Sequence, residues 1–174
     1  MKYQDIPQFT REGGYEINVP LDYLEGKIQE WIEEPHYKLQ LNPDFQRGHV
    51  WNEGQQIAFM EYLLKGGKSG RVIYFNKPDW QNTASTPYND FVVVDGLQRL
   101  TAIRRFLNNQ IKVFGHLISE FDGRLRIHHD IKFNINNLQT KKEVLQWYLE
   151  MNTGGTPHTE EEINKVRELL KVSA

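Results

Sequence analysis

The strongest constraint on the fold is a short apolar run that leads directly into a glycine turn. Residues 91–94 read Phe-Val-Val-Val, a β-branched composition typical of a strand buried on both faces. Asp95 and Gly96 turn the chain, and apolar residues then recur at helical spacing over residues 97–107. The pattern predicts a central strand, a tight turn and an amphipathic helix that packs on a sheet. The fold class is therefore predicted to be α/β, with helices and strands mixed along the chain.

Patterns on either side of this turn predict further strands and helices. Strands are expected at residues 15–19, 71–76 and 111–114, and a hairpin at 124–127 and 131–135. Helices are expected after Pro20, after the capping residue Asn52, over 141–151 and after Thr159. Residues 77–90 are expected to form a surface loop.

The chain length of 174 residues favours a single domain over residues 1–174. Within it, residues 1–14 are expected to form a flexible arm, and residues 139–172 a C-terminal helical part.

The composition excludes several classes of function. A net charge of −2 argues against a protein that coats DNA by charge alone. The absence of cysteine excludes disulfides, thiolate zinc sites and cysteine nucleophiles. With no signal peptide and no apolar run near the roughly 20 residues of a membrane span, we expect a cytoplasmic protein without a membrane partner.

The turn before the predicted helix has the chemistry of an anion-binding site. The first turn of a helix exposes unpaired backbone N–H groups, and the helix dipole adds partial positive charge there. Gly96 permits close approach of a ligand, while Gln98, Arg99 and Thr101 add donors. Asp95 is placed to hold Mg²⁺, a water or a ribose hydroxyl. The alternative is an ordinary Asp-Gly turn in which Arg99 only pairs with Asp95 or solvates the surface.

A second candidate segment is Gln46-Arg47-Gly48-His49, in a polar, irregular stretch. Arg47 has the guanidinium geometry for bidentate contacts with phosphate, and His49 can act as a general acid or base. The alternative is a loop arginine paired with a nearby carboxylate and a partly exposed histidine.

Asn152 follows a predicted helix and precedes a Thr-Gly-Gly turn, so it is either a ligand contact or part of a helix end. His128, His129 and Asp130 are interpreted as a solvated hairpin turn, because adjacent histidines in a strand point to opposite faces.

Three segments together resemble a known family. Residues 91–101, which contain Asp95-Gly96-Leu97-Gln98-Arg99, resemble the D-G-Q-Q-R-L-T signature of the GmrSD-type N-terminal domain family. Residues 42–51 are similar to that family's early Gln-Arg segment, and residues 152–157 to its late Asn-x-x-Gly segment. The three segments occur in the family's order. Leu97 departs from the signature, where the family has a glutamine.

The resemblance implies a compact mixed α/β fold of the ParB/sulfiredoxin-like type, with a small mixed sheet flanked by helices, that binds nucleotide phosphates at the glycine turn and its arginine. In restriction systems of this kind it implies nucleoside triphosphate hydrolysis, with Mg²⁺, that licenses cleavage of foreign DNA. The residues predicted to take part in catalysis are Asp95, Arg99, Arg47 and His49. The residues predicted to bind the nucleotide are Gly96, Gln98, Arg99, Thr101, Gln46, Arg47 and Asn152.

Two other functions remain open at this point. One is a ParB-like nuclease or DNA-binding protein that uses the same pocket for a DNA phosphate. The other is a non-enzymatic interaction protein of a phage or mobile element that keeps the fold. Whether DNA, a nuclease partner protein or a second copy of the chain binds here is also left open by the residues.

Overall fold

The computed structural model describes residues 15–46, 48, 50–80, 87–123, 130–152 and 160–172. These ranges contain five α-helices and four β-strands, which confirms the predicted mixed α/β class. In chain order the elements are β1 Tyr15–Val19, α1 Leu21–Glu33, α2 Glu53–Leu64, β2 Val72–Asn76, β3 Val92–Asp95, α3 Leu97–Leu107, β4 Ile131–Asn136, α4 Lys141–Asn152 and α5 Glu160–Val172. In the described part of the chain, no helix has the length and apolar character needed to cross a membrane.

The four strands form one mixed sheet in the order β1-β4-β2-β3. Strand β4 pairs antiparallel with β1 and parallel with β2, while β2 and β3 are antiparallel. Both edges of β4 are therefore occupied along its length. The strand predicted at residues 131–135 is confirmed as β4; residues 124–127, its predicted hairpin partner, lie outside the described residues.

The strand predicted at residues 111–114 is also wrong. Ile111 and Val113 are buried, but the chain reverses at Phe114 and Gly115, which have φ values of 52° and 81°. A single isolated bridge joins Val113 to His116. The alternation of apolar residues there reflects burial in the core, which does not require a partner strand.

The start of the loop predicted at residues 77–90 is buried instead of exposed. Lys77 is 1% exposed, and its Nζ lies 2.6 Å from Asp79 Oδ1 and 2.7 Å from Asn89 Oδ1. A lysine can be buried when its charge is paired and hydrogen-bonded in this way. Residues 81–86 lie outside the described residues.

Helices cover both faces of the sheet and create two cores. Helices α1, α2 and α3 pack on one face around Trp31, whose ring contacts Phe75, Phe91 and Phe133. Helices α4 and α5 pack on the other face, where they enclose Phe45. Strand β3 serves both cores because its side chains alternate: Val93 faces the first, and Val92 and Val94 face the second.

The outer edge of β3 is covered by the segment that precedes α2. Gln40 exchanges backbone hydrogen bonds with Phe91 and Val93. The register between β2 and β3 shifts by one residue, because Tyr74 faces Asp95 while Phe75 faces Val93. Val94 is thus an extra residue immediately before the turn, and such bulges re-aim the chain at strand ends.

Candidate functional site

The turn between β3 and α3 requires a glycine. Gly96 is the N-cap of α3 and has a φ of 97°, in the left-handed region. A Cβ at this position would lie 2.7 Å from Cδ1 of Ile73 and 3.3 Å from Nη2 of Arg99. Both the backbone conformation and the close approach of β2 therefore exclude a side chain here.

The N-terminus of α3 is open. Gly96 provides no side-chain cap, and the first turn contains no acidic residue. The first intrahelical bond runs from the N–H of Leu100 to the carbonyl of Gly96. Within the described residues, the backbone N–H groups of Leu97, Gln98 and Arg99 make no hydrogen bond, so they and the helix dipole present positive potential to an anion.

Arg99 is held rigidly beside this turn. Its Nη2 lies 2.6 Å from Asp95 Oδ2, and its Nη1 donates to the carbonyl of Val72 at 2.9 Å. The ion pair foreseen as the structural alternative is therefore present. A guanidinium has five N–H donors, and these bonds fix its plane while leaving others for a ligand. Asp95 is 35% exposed, so its carboxylate remains accessible from solvent.

Gln98 connects α3 to the segment that contains Arg47 and His49. Its Nε2 donates to the carbonyl of Gly48 at 2.7 Å, and its Oε1 accepts from the N–H groups of Val50 and Trp51 at 3.0 and 3.1 Å. The side-chain amide thus fastens three residues of this segment to the first turn of α3. A direct contact between Gln98 and a ligand stays a prediction.

Gln46 makes the matching connection to β3. Its Nε2 donates to two successive carbonyls, those of Val93 and Val94, each at 2.9 Å. Successive carbonyls of a regular strand point in opposite directions, so the bulge at Val94 is what brings both within reach of one amide. Sequence reasoning treated Gln46 and Gln98 as ligand contacts and missed these fastening roles.

Arg47 and His49 lie outside the described residues, so their predicted roles remain predictions. The described residues on either side are well anchored. Gln46 and Gly48 are bonded to β3 and α3, and Phe45 is buried against Tyr148 with ring centroids 5.2 Å apart. The two predicted site segments are therefore brought together by the fold.

Asp95 is the acidic side chain at the turn. Among the residues that the structure describes, no group of three or more histidine, aspartate or glutamate side chains is arranged to hold a metal ion. Asp44, on the neighbouring segment, pairs with Lys141 of α4 at 2.6 Å. A Mg²⁺ ion at Asp95 would take its remaining ligands from phosphate oxygens and water, which is the usual pattern for this ion.

The remaining predicted contacts, Thr101 and Asn152, lie on α3 and α4. Thr101 stands one helical turn after Leu97 and lines a groove of about 310 Å³ along α3. Asn152 is the last residue of α4, and its Nδ2 donates to the carbonyl of Tyr148 at 2.6 Å. Residues 153–157, which complete the third predicted segment, lie outside the described residues, as do His128 and His129.

Comparison with protein families matches residues 28–136 to the N-terminal domain of the GmrSD restriction endonuclease. The match covers more than half of the chain and includes both the Gln46 segment and the glycine turn. The third segment, from Asn152, lies beyond it. Searches of curated proteins and of solved structures found no match to this chain. A relation to the ParB/sulfiredoxin-like superfamily stays a prediction.

Proposed function

This chain belongs to the family of GmrSD restriction endonuclease N-terminal domains, and from this premise we propose that it binds a nucleoside triphosphate as part of a restriction system. The phosphates are proposed to lie at the turn formed by Asp95, Gly96 and the first residues of α3.

The observation that carries this proposal is the open N-terminus of α3 beside a fixed arginine. Three backbone N–H groups without partners in the described chain and the guanidinium of Arg99 lie at one turn. Phosphate is the common biological ligand for such a combination, because backbone N–H dipoles and a guanidinium both interact favourably with the delocalised negative charge of a phosphate group.

The other residues have distinct proposed roles. Arg47 supplies a second guanidinium to the phosphates, and Asp95 holds Mg²⁺ through one carboxylate oxygen. Gln46 and Gln98 position the segment that contains Arg47, since each makes two or three hydrogen bonds between that segment and the turn. Thr101 and Asn152 are proposed as further contacts of the nucleotide.

Hydrolysis follows from the same arrangement. A water attacks the terminal phosphorus, the bond from that phosphorus to the bridging oxygen breaks, and His49 is the proposed acceptor of the water's proton. Negative charge that develops on the transferred group is stabilised by Arg99, Arg47 and the helix N-terminus. Arg99 is already oriented by its bonds to Asp95 and Val72, so its guanidinium need not reorganise during the reaction.

Calorimetric titration tests the proposal directly. ATP, GTP, CTP and UTP are titrated with and without Mg²⁺ into the wild type, Arg99→Ala and Arg167→Ala. Arg167 is an exposed arginine of α5 that bonds to Asn164, so it is the matched control. We expect one nucleotide to bind the wild type and the control equally. Loss of a charged hydrogen bond in Arg99→Ala should weaken binding by roughly 10- to 100-fold.

Two results would contradict the proposal. One is a folded wild type that binds none of the four nucleotides, which would favour a non-enzymatic interaction protein. The other is equal binding by the wild type and Arg99→Ala, which would move the phosphates away from this turn.

DNA cleavage by this chain is the second candidate, because the matched family is named for a restriction endonuclease. The same turn would then hold a DNA phosphate, with a metal ion at Asp95. Mg²⁺-dependent nicking of plasmid DNA by the purified chain, abolished in Asp95→Ala, is the expected result for this candidate. The same nicking activity in wild type and Asp95→Ala would exclude it.

A further inference from the structure

A groove of about 310 Å³ runs along the exposed side of α3 and begins at the turn. Leu97 and Thr101 line the end next to Gly96, and Asn108 and Gln110 line the far end. Leu41 and Asn42, which follow the segment paired with β3, form its side. This volume is at the lower end of the range of small-ligand sites.

The two arginines that line the groove do not give it a net positive charge. Arg104 forms a two-point ion pair with Glu25 of α1, with N···O distances of 2.7 and 2.8 Å. Arg105 pairs with Glu53 of α2 at 2.8 Å and also donates to Gln56 Oε1 at 2.7 Å. Each guanidinium charge is therefore balanced by a carboxylate beside it.

Glu25 keeps its charge at neutral pH. Partial burial alone would raise its pKa, but hydrogen bonds from Arg104 and Asn108 outweigh that effect and hold the pKa below its ordinary value. The balance of charge between Arg104 and Glu25 thus persists under physiological conditions. A second phosphate group would find little electrostatic attraction in this groove, in contrast to the turn at its end.

The lining combines apolar contact with hydrogen-bonding groups. Leu41 and Leu97 contribute apolar surface, and Leu97 stands where the family signature has a glutamine. The side-chain amides of Asn42 and Gln110 are exposed, and within the described chain they make no hydrogen bond. Guanidinium planes held by ion pairs offer flat surfaces on which an aromatic ring can stack.

The groove has the length needed to continue from the turn. Asn108 is the C-cap of α3 and follows Leu97 by eleven residues, which corresponds to about 16 Å along the helix axis. The groove lining therefore extends from the first residue of α3, next to the turn, to the end of the helix.

From the neutral charge, the amide and apolar lining and the continuity with the turn, we propose that this groove binds the nucleoside part of the nucleotide. The base and sugar lie against Leu97 and the two arginines that are held in ion pairs. The side-chain amides of Asn42 and Gln110 form hydrogen bonds with polar atoms at the edge of the base. This assignment rests on the proposed function, because it places the phosphates of the same ligand at the Gly96 turn.

Backbone-amide NMR distinguishes binding of the phosphates from binding of the nucleoside. Sodium tripolyphosphate is expected to shift the resonances of residues 96–99, with little change at 104–110. Adenosine, guanosine, cytidine and uridine are titrated separately. At least one of them is expected to shift the resonances of residues 104–110 and to leave those of 96–99 nearly unchanged.

A double variant tests the role of the amides. Asn42→Ala combined with Gln110→Ala is expected to bind the preferred nucleoside triphosphate about tenfold more weakly, which corresponds to two ordinary hydrogen bonds. Its affinity for tripolyphosphate should equal that of the wild type. Gln146→Ala removes an exposed amide of α4, bonded to Glu150, and serves as the control without effect on either ligand.

The outcomes distinguish failure of the groove assignment from failure of the proposed function. If the double variant binds nucleotide as tightly as the wild type and no nucleoside shifts residues 104–110, the groove assignment is overturned while phosphate binding stands. If the folded wild type binds neither tripolyphosphate nor any nucleotide, both are overturned.

Discussion

The N-termini of α2 and α3 are built in opposite ways, although the two helices pack against each other. Helix α2 begins at Asn52, whose Oδ1 accepts from the N–H of Gln55 at 2.9 Å, while Gln55 Oε1 accepts from the N–H of Asn52 at 2.9 Å. Its first turn also contains the acidic Glu53. Helix α3 begins at Gly96 with neither feature.

The absence of a capping side chain at the start of α3 follows from packing, because the close approach of Ile73 and the left-handed backbone require glycine at position 96. A reciprocal capping pair satisfies the N-terminal donors of α2 from within the chain, and such caps stabilise by about 1 kcal/mol. Helix α3 lacks that contribution, and the backbone N–H groups of its first turn have no partner among the described residues. The N-terminus of α2 is therefore capped by the chain itself, whereas the N-terminus of the neighbouring α3 is the one proposed to bind a ligand.

The largest expected effect comes from a side chain at the start of α3. Gly96→Ala should lower the free energy of unfolding by about 2–4 kcal/mol. Alanine is strained in the left-handed backbone conformation, and its Cβ would also clash with the side chain of Ile73. Urea unfolding measures this change. Gly26→Ala on α1, where a Cβ would meet nothing within 4 Å, is the control and should stabilise by about 0.5–1 kcal/mol. Equal effects of the two substitutions would contradict the special requirement at Gly96.

Removal of the Gln98 side chain should separate the two site segments. Gln98→Ala loses three hydrogen bonds to Gly48, Val50 and Trp51, and we expect a loss of about 1–2 kcal/mol in unfolding free energy. Nucleotide affinity should fall as well, because the segment that contains Arg47 is no longer fastened to α3. Unchanged affinity by calorimetry, in a variant that is measurably less stable, would show that this segment does not contribute to binding.

Substitution of the α2 cap should affect stability alone. Asn52→Ala is expected to lower the unfolding free energy by about 1 kcal/mol. Its nucleotide affinity, measured by the same calorimetry, should equal that of the wild type. A large loss of affinity would mean that the two N-termini are not functionally distinct.

The smallest effect is expected at Glu53. Glu53→Gln removes the acidic group from the first turn of α2 and its pair with Arg105, in which Glu53 is 60% exposed. The change in unfolding free energy should be about 0.5 kcal/mol or less, and it should shrink further at high salt because exposed pairs are screened. A loss that is large and independent of salt would indicate a role beyond surface electrostatics.

Sequence periodicity predicted the helices and most strands because each signal lies within a few adjacent residues. The N-cap at Asn52 and the glycine turn at Gly96 belong to this class. The error at residues 111–114 arose because burial of Ile111 and Val113 produces the same alternation as a strand. The pairing of β4 with a strand on each edge could not be predicted from local patterns, because its partners are distant in sequence.

The candidate site was predicted only in part for a related reason. The residue types at the turn identify an anion site locally. The roles of Gln46 and Gln98 depend on hydrogen bonds between residues 47 to 50 positions apart. A glutamine in a polar stretch gives no local sign of such a partner. Likewise, the burial of Lys77 depends on Asn89, twelve residues later.

The long spans of these glutamine bonds have a consequence for folding. Closing a loop of nearly fifty residues is entropically unfavourable, so we expect these bonds to form after β3 is in place against β2 and α3 has docked. The site is then one of the last parts of the molecule to assemble, and partly folded chains lack it. A ligand that requires it binds only native molecules and raises the apparent melting temperature by mass action, by an amount that grows with the logarithm of the ratio of its concentration to its dissociation constant.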